Sequence, residues 1–289
     1  MSSKVQYQVL ITKRTSATRG VPPGKEDVLW VGSSSTLIHD GKDSVLVDTF
    51  LGKDDNETLV EWVIKSGYNL KYIYITHGHG DHWYGAHLLL QQFPQAQVLA
   101  TKATIECMKE NVSQEWLGLW QRLFPGQVPR HADQLLDPNK VKPVNDTNYT
   151  FQLGGYDLIA HEAGFTDTHS TTYLHIPSID LVVSGDIVYN QVFPYLANTT
   201  TETRQEWLKA LDSIAALNPK NVVPGHTIPE GGHDPKHIEE TKKVLLDFNH
   251  HIPLSDSVLD LYNKVLALHP HRVNPGSLWA GSNAEKGKQ

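Results

Sequence analysis

One cysteine, Cys107, stands in the whole chain of 289 residues. That scarcity excludes an intramolecular disulfide and a zinc site built of thiolates, and Cys107 is read as a small buried apolar residue. Long apolar runs are missing too: no stretch approaches the roughly 18 residues needed to span a bilayer. The first residues, Met1-Ser2-Ser3-Lys4-Val5-Gln6, lack a charged segment, an apolar segment and a small-residue cleavage site, so a cytosolic protein is expected. A basic surplus is also absent. A net charge of −7 and a pI near 6.1 leave no electrostatic footprint for nucleic acid or an anionic membrane. The length suits one catalytic domain over residues 1–275, followed by a small polar tail, 276–289, that is expected to be mobile unless Leu278 and Trp279 anchor it.

What the chain has in quantity is histidine, 16 in all. Three of them and a carboxylate fall within Thr76-His77-Gly78-His79-Gly80-Asp81-His82, directly after the apolar run Tyr72-Ile73-Tyr74-Ile75, which reads as a buried strand. Imidazole and carboxylate are donors for zinc and related divalent ions, and the two glycines let the backbone turn so that side chains converge. Solvated histidines are the plainer alternative, but clusters this dense usually bind metal. Further candidates follow in order: His169 in Gly164-Phe165-Thr166-Asp167-Thr168-His169-Ser170, Asp186 after Leu181-Val182-Val183-Ser184-Gly185, and His226 after Val222-Val223-Pro224-Gly225. Each is placed where a strand runs out into a loop.

Strand signals at residues 5–11, 28–31, 34–38 and 44–47, separated by turns such as Asp40-Gly41, predict an antiparallel meander. A helical stripe at 56–64, the strand 72–75 and a helix over 82–92 come next. A second meander is predicted at 150–153, 156–160, 172–176 and 181–183, then a helix over 204–217 and a strand at 222–223. Helices over 237–248 and 255–268 could cover a sheet or pair with another subunit. The pattern alone gives a mixed α/β class.

The series His-x-His-x-Asp-His, a lone His, an Asp and a last His resembles the metallo-β-lactamase superfamily over residues 48–226. The resemblance implies an αββα sandwich of two mixed β-sheets flanked by helices, with a metal pair at one edge. Carried over, it puts His77, His79 and His169 on one ion, Asp81, His82 and His226 on a second, and Asp186 between them. Two divalent ions are implied, zinc first, with iron or manganese as alternatives, and a hydroxide between them would be the nucleophile. Asp81 would ligate and orient it. Asp48, which ends an early strand, would hold a ligand histidine or the motif loop by hydrogen bonds. Tyr189 completes an Asp-x-x-Tyr element similar to that of lactone-opening members, and its phenol could donate to a developing oxyanion.

Substrate choice is expected in residues 101–145, a candidate lid insertion. Trp116, Leu117, Trp120, Leu123 and Phe124 lie at helical spacing there, which fits either a core-facing helix or a wall of Trp116 and Trp120 over the metals, with Phe193 and Tyr195 opposite. The expected activity is the opening of a small lactam or lactone, apolar or aromatic, in detoxification or catabolism; some cytosolic fungal members of the superfamily open aromatic cyclic carbamates. A glyoxalase II-like thioester hydrolase is the alternative enzyme, and a diiron redox protein or a non-catalytic metal-binding scaffold the alternative class.

Overall fold

The computed structural model describes residues 5–15, 21–22, 24–145 and 147–287. The chain begins as an antiparallel meander of β1 (Gln6–Thr15), β2 (Trp30–His39) and β3 (Asp43–Val47). The turn into β3 is closed by Asp40, whose carboxylate accepts from the backbone N–H groups of Lys42 and Asp43, each at 2.8 Å. β2 is one strand where the sequence predicts two short ones. Gly32 and Ser33 stay in the ladder opposite Lys13 and Thr12, and glycine serves at 32 because a Cβ there would run into the Thr227 carbonyl.

Next come α1 (Lys53–Ser66), ended by left-handed Gly67, then β4 (Asn69–Tyr74), α2 (Ala86–Gln92) and β5 (Gln97–Ala100). The helix expected from residue 82 starts later, because Gly80–His82 is wound into a single 3-10 turn. Residues 101–145 hold α3 (Lys102–Glu110), N-capped by Thr101, α4 (Gln114–Leu123), N-capped by Ser113, and β6 (Lys142–Pro143). The second half runs β7 (Thr150–Leu153), β8 (Tyr156–Gly164), β9 (Thr171–Ile176), β10 (Leu181–Asn190), α5 (Thr201–Ala216), β11 (Asn221–Thr227), α6 (Lys236–His251), α7 (Val258–Leu268) and α8 (Pro275–Lys286).

Strands follow the order β6-β5-β4-β3-β2-β11-β10-β9-β8-β7, with β1 on the side of β2. β2 and β11 share a single residue pair, Ser33 with His226. The hydrogen-bonded path therefore folds there into two mixed sheets. Strand alternation decides what each face buries: Val45 and Val47 point into a core between the sheets with Tyr74, Leu174 and Val183, while Leu46 points out toward Leu59, Val63, Leu89 and Leu117 of α1, α2 and α4. On the other outer face, Val182 and Val222 meet Trp207, Leu211, Phe248 and Leu278 of α5, α6 and α8. The result is an αββα sandwich.

Residues 276–286, expected as a small polar tail, belong to α8. Leu278 is fully buried, and Gly281 allows close approach, since a Cβ there would lie 2.8 Å from that of Leu196. Buried Arg204 ties the helix down by donating to Glu285 Oε1 and to Thr199 Oγ1, each at 2.7 Å. Among the described residues no helix is long and apolar enough to cross a membrane.

Candidate metal centre

The loop after β4 is held from β3. Asp48, with a left-handed φ of 61°, turns its carboxylate under the loop. Oδ1 accepts from the Thr76 backbone N–H at 2.8 Å, and Oδ2 accepts from Thr76 Oγ1 at 2.7 Å and from His82 Nδ1 at 2.9 Å. With Nδ1 so engaged, His82 presents Nε2 to the interior. His226 is oriented the same way, since its Nδ1 lies 3.1 Å from the Gly32 carbonyl. His77 Nδ1 lies 3.1 Å from Thr76 Oγ1. Such outer hydrogen bonds fix the tautomer and the ring plane of a ligand histidine.

Three overlapping groups of donors result: His77, His79 and Asp167; His77, His82 and Asp186; and Asp81, His82 and His226. His79 Nδ1 is 2.8 Å and His77 Nε2 3.6 Å from Asp167 Oδ2. Asp186 spans the middle, with Oδ1 3.2 Å from His82 Nε2 and Oδ2 3.1 Å from His226 Nε2. His226 Nε2 is 3.5 Å from Asp81 Oδ2. His77 Nε2, His82 Nε2, Asp167 Oδ2 and Asp186 Oδ1 are buried atoms without a hydrogen-bond partner. Buried polar atoms are rarely left so, and these converge on one another. Imidazole and carboxylate donors orphaned in this way fit two divalent cations.

His169 requires a correction. Its Nε2 faces Glu110 Oε2 at 3.0 Å, its side chain is 43% exposed, and it joins neither half of the centre. Asp167, two positions earlier in the same loop, is fully buried and turns to His77 and His79 instead. Thr166 Oγ1 donates to Asp167 Oδ1 at 2.9 Å, which aims the carboxylate inward.

Charge distribution agrees with a cation site. Burial opposes the charge on Asp81 and Asp186, yet Asp81, beside His82 and Arg14, and Asp186, beside His226 and His82, both stay well below the usual carboxylate range. Burial, aided by His82, lowers His77 to about 4 and keeps it neutral, ready to ligate. Burial works against protonation of His82 too, but Asp186 and Asp48 outweigh it and raise it well above its ordinary value. Tyr189, raised by burial and by Asp186, keeps its proton and donates it to Asp186 Oδ2 at 2.7 Å.

A cavity of about 320 Å³ opens onto these donors. Trp116, Leu119, Trp120 and Leu123, at i, i+3, i+4 and i+7 of α4, form one wall, whereas Leu117 on another face of the helix enters the core. Phe193 and Tyr195 line the cavity as well, and Tyr189 reaches it from β10. Trp116 and Tyr195 flank His79 with ring centroids 6.1 and 6.2 Å away.

Sequence reasoning misses Asp167, Arg14 and α8. Arg14 of β1 donates to Asp81 Oδ2 at 2.8 Å and to Ser33 Oγ at 2.9 Å. Nothing local marks it: it is one cation among alternating strand residues. Gly276, Ser277 and Ala280 of α8 close another side of the cavity.

A buried pair of His/Asp sites at the edge of an αββα sandwich defines a metal-dependent hydrolase of known architecture. The profile of the metallo-beta-lactamase superfamily matches residues 28–226, and the chain belongs to that superfamily. Comparison with curated protein sequences found no match. Among solved structures, a metallo-beta-lactamase from Pontibacter korlensis is 20% identical, with 86% of this chain and 97% of that one covered at a TM-score of 0.59. A metallo-beta-lactamase family protein from Thermus thermophilus is 18% identical, covering 96% and 91% at 0.63. A metallo-beta-lactamase from Pseudomonas aeruginosa in the mono-zinc form is 16% identical, covering 85% and 92% at 0.54. At these identities the likeness is one of fold.

Proposed function

We propose that this chain is a two-ion hydrolase, with zinc as its metal, that opens the ring of a small lactam or lactone with an apolar or aromatic body. The observation that carries the proposal is the cavity itself: an aromatic wall from α4 ends on three overlapping groups of His and Asp donors. His77, His79 and Asp167 would hold one ion, Asp81, His82 and His226 the other, and Asp186 would join them. Divalent ions held there polarise a carbonyl and acidify water to near neutrality. A donor set of imidazole and carboxylate admits zinc as it admits iron or manganese, and zinc is preferred because the Pseudomonas aeruginosa neighbour is a mono-zinc form.

The protein's own residues supply the rest. Arg14 occupies one oxygen of Asp81 and so restricts how that carboxylate turns. Trp116 and Trp120 exclude bulk water from a bound ring. Tyr189 has one hydroxyl hydrogen, now given to Asp186; rotation about its C–O bond would offer it to a substrate oxygen, where a donor counts most as charge develops. A glutathione thioester fits less well. It carries two carboxylates, and among the described residues the only Lys or Arg lining the cavity is Arg14, already paired with Asp81.

The test is hydrolysis by metal-loaded protein of a panel of aryl lactams, aryl lactones, aliphatic lactones and glutathione thioesters. Turnover concentrated on the aryl lactams and lactones is expected. Turnover of thioesters alone, or of nothing in the panel by protein carrying two ions, would contradict the proposal.

A further inference from the structure

A further group of donors lies outside the centre: Cys107 and Glu110, one turn apart on α3, and His169 on the β8–β9 loop. Their ligand atoms lie within 4.8 Å of one another. Donors arranged tetrahedrally around one zinc ion at about 2.0–2.3 Å stand roughly 3.3–3.8 Å apart. His169 Nε2 and Glu110 Oε2 are already 3.0 Å apart, and their side chains, 43% and 61% exposed, can move toward the Cys107 thiol to complete the set. The Cys107 thiol, buried, forms the floor. His169 is already set for ligation: Nδ1 lies 2.9 Å from Ser170 Oγ, which leaves Nε2 toward Glu110 at 3.0 Å.

We propose that Cys107, Glu110 and His169 form a third cation site, for zinc or another ion with affinity for thiolate, separate from the two-ion centre. One thiolate, one imidazole and one carboxylate are a sufficient protein set for a four-coordinate ion whose last position is water. Binding breaks the S–H bond heterolytically, its proton passes to solvent, and the ion keeps its oxidation state. Without an ion, burial holds the thiol protonated, with its pKa pushed up to about 11. The site adjoins the motif loop, since a Cβ at Gly78 would lie 2.5 Å from Cys107 Sγ. An ion there would therefore lie beside the segment that presents His77 and His79.

Having a single cysteine makes the test clean, because no ligand of the two-ion centre is a thiol. Metal-stripped protein is titrated with Co²⁺ alone, and its near-ultraviolet thiolate-to-cobalt absorption is followed together with bound cobalt. That absorption should appear beyond two equivalents, vanish in Cys107→Ser, and require about 10-fold or more cobalt in His169→Ala and in Glu110→Gln, both changes on exposed side chains. Two bound cobalt ions without the absorption would overturn the third site while leaving the two-ion centre intact. Absorption that persists at unchanged cobalt affinity in His169→Ala would overturn it as well, and binding of no cobalt would overturn both.

Discussion

In the first half of the molecule, His77, His79, Asp81 and His82 come from one short loop braced by Asp48; in the second, Asp167, Asp186 and His226 come from a loop, a bulged strand and the partner strand of that bulge. The first set is fixed by local backbone geometry, so its spacing alone reveals it. The second is fixed by register. β10 shifts against β11 at Gly185 and again before Tyr189, which places Asp186 opposite the motif loop. Gly225 leaves room for it, because a Cβ there would collide with Asp186 Oδ1. A compact motif thus depends on few contacts, and scattered ligands depend on the whole sandwich.

The sharpest way to break this division is Asp186→Ala, which removes the residue joining both halves. Hydrolysis should fall by roughly 10⁴-fold or more, since groups that act as a unit fail together. Steady-state kinetics with parallel metal analysis checks it. Tyr189→Phe, farther along the same strand, should lower kcat by about 100-fold with little change in KM or metal content. A fall explained by lost metal would make Tyr189 a positioning residue for Asp186.

Asp48→Asn probes the bracing of the first half. It should weaken metal affinity by about 10–100-fold, the usual contribution of an outer hydrogen-bond partner. In the metal-free protein His82 is held protonated by Asp186 and Asp48. Metal must displace that proton, so wild-type affinity should fall as pH drops through the raised pKa of His82, starting well above its ordinary range, and calorimetry in buffers of different ionisation enthalpy should record proton release. Trp120→Ala tests the cavity wall. It should raise KM for an aryl substrate about 10-fold and leave kcat nearly unchanged, the scale of a lost apolar contact.

The same division explains what is legible in the sequence. Hydrophobic period identifies the meanders, α1, α5, α6 and α7 because each presents one continuous apolar face. Four of the donors are readable from one segment, and Asp186 and His226 from their places after apolar runs, although β10 runs on past Asp186 to Asn190 where the sequence predicts a loop. β5 and β6 escape because they are short and lie in a stretch dominated by helical spacing. His169 is chosen because it fills the lone-His place of the family pattern, and no local pattern tells which residue of that turn points inward; the hydrogen bond from Thr166 and burial under the sheets turn Asp167 inward. The aromatic spacing in α4 is visible, but only packing shows that Leu117 goes to the core while Trp116 and Trp120 face the cavity. α8 reads as polar because its small residues are there for close approach rather than for bulk.

The proposed third ligand of the first ion is where the two halves meet, and it can be measured directly. In a Cys107→Ser background, which removes the thiolate of the proposed third site, tightly bound zinc is counted for Asp167→Ala and for His169→Ala. A centre completed by Asp167 predicts two ions in His169→Ala and loss of one, with the activity, in Asp167→Ala. Two ions and full activity in Asp167→Ala, with loss in His169→Ala, would contradict it.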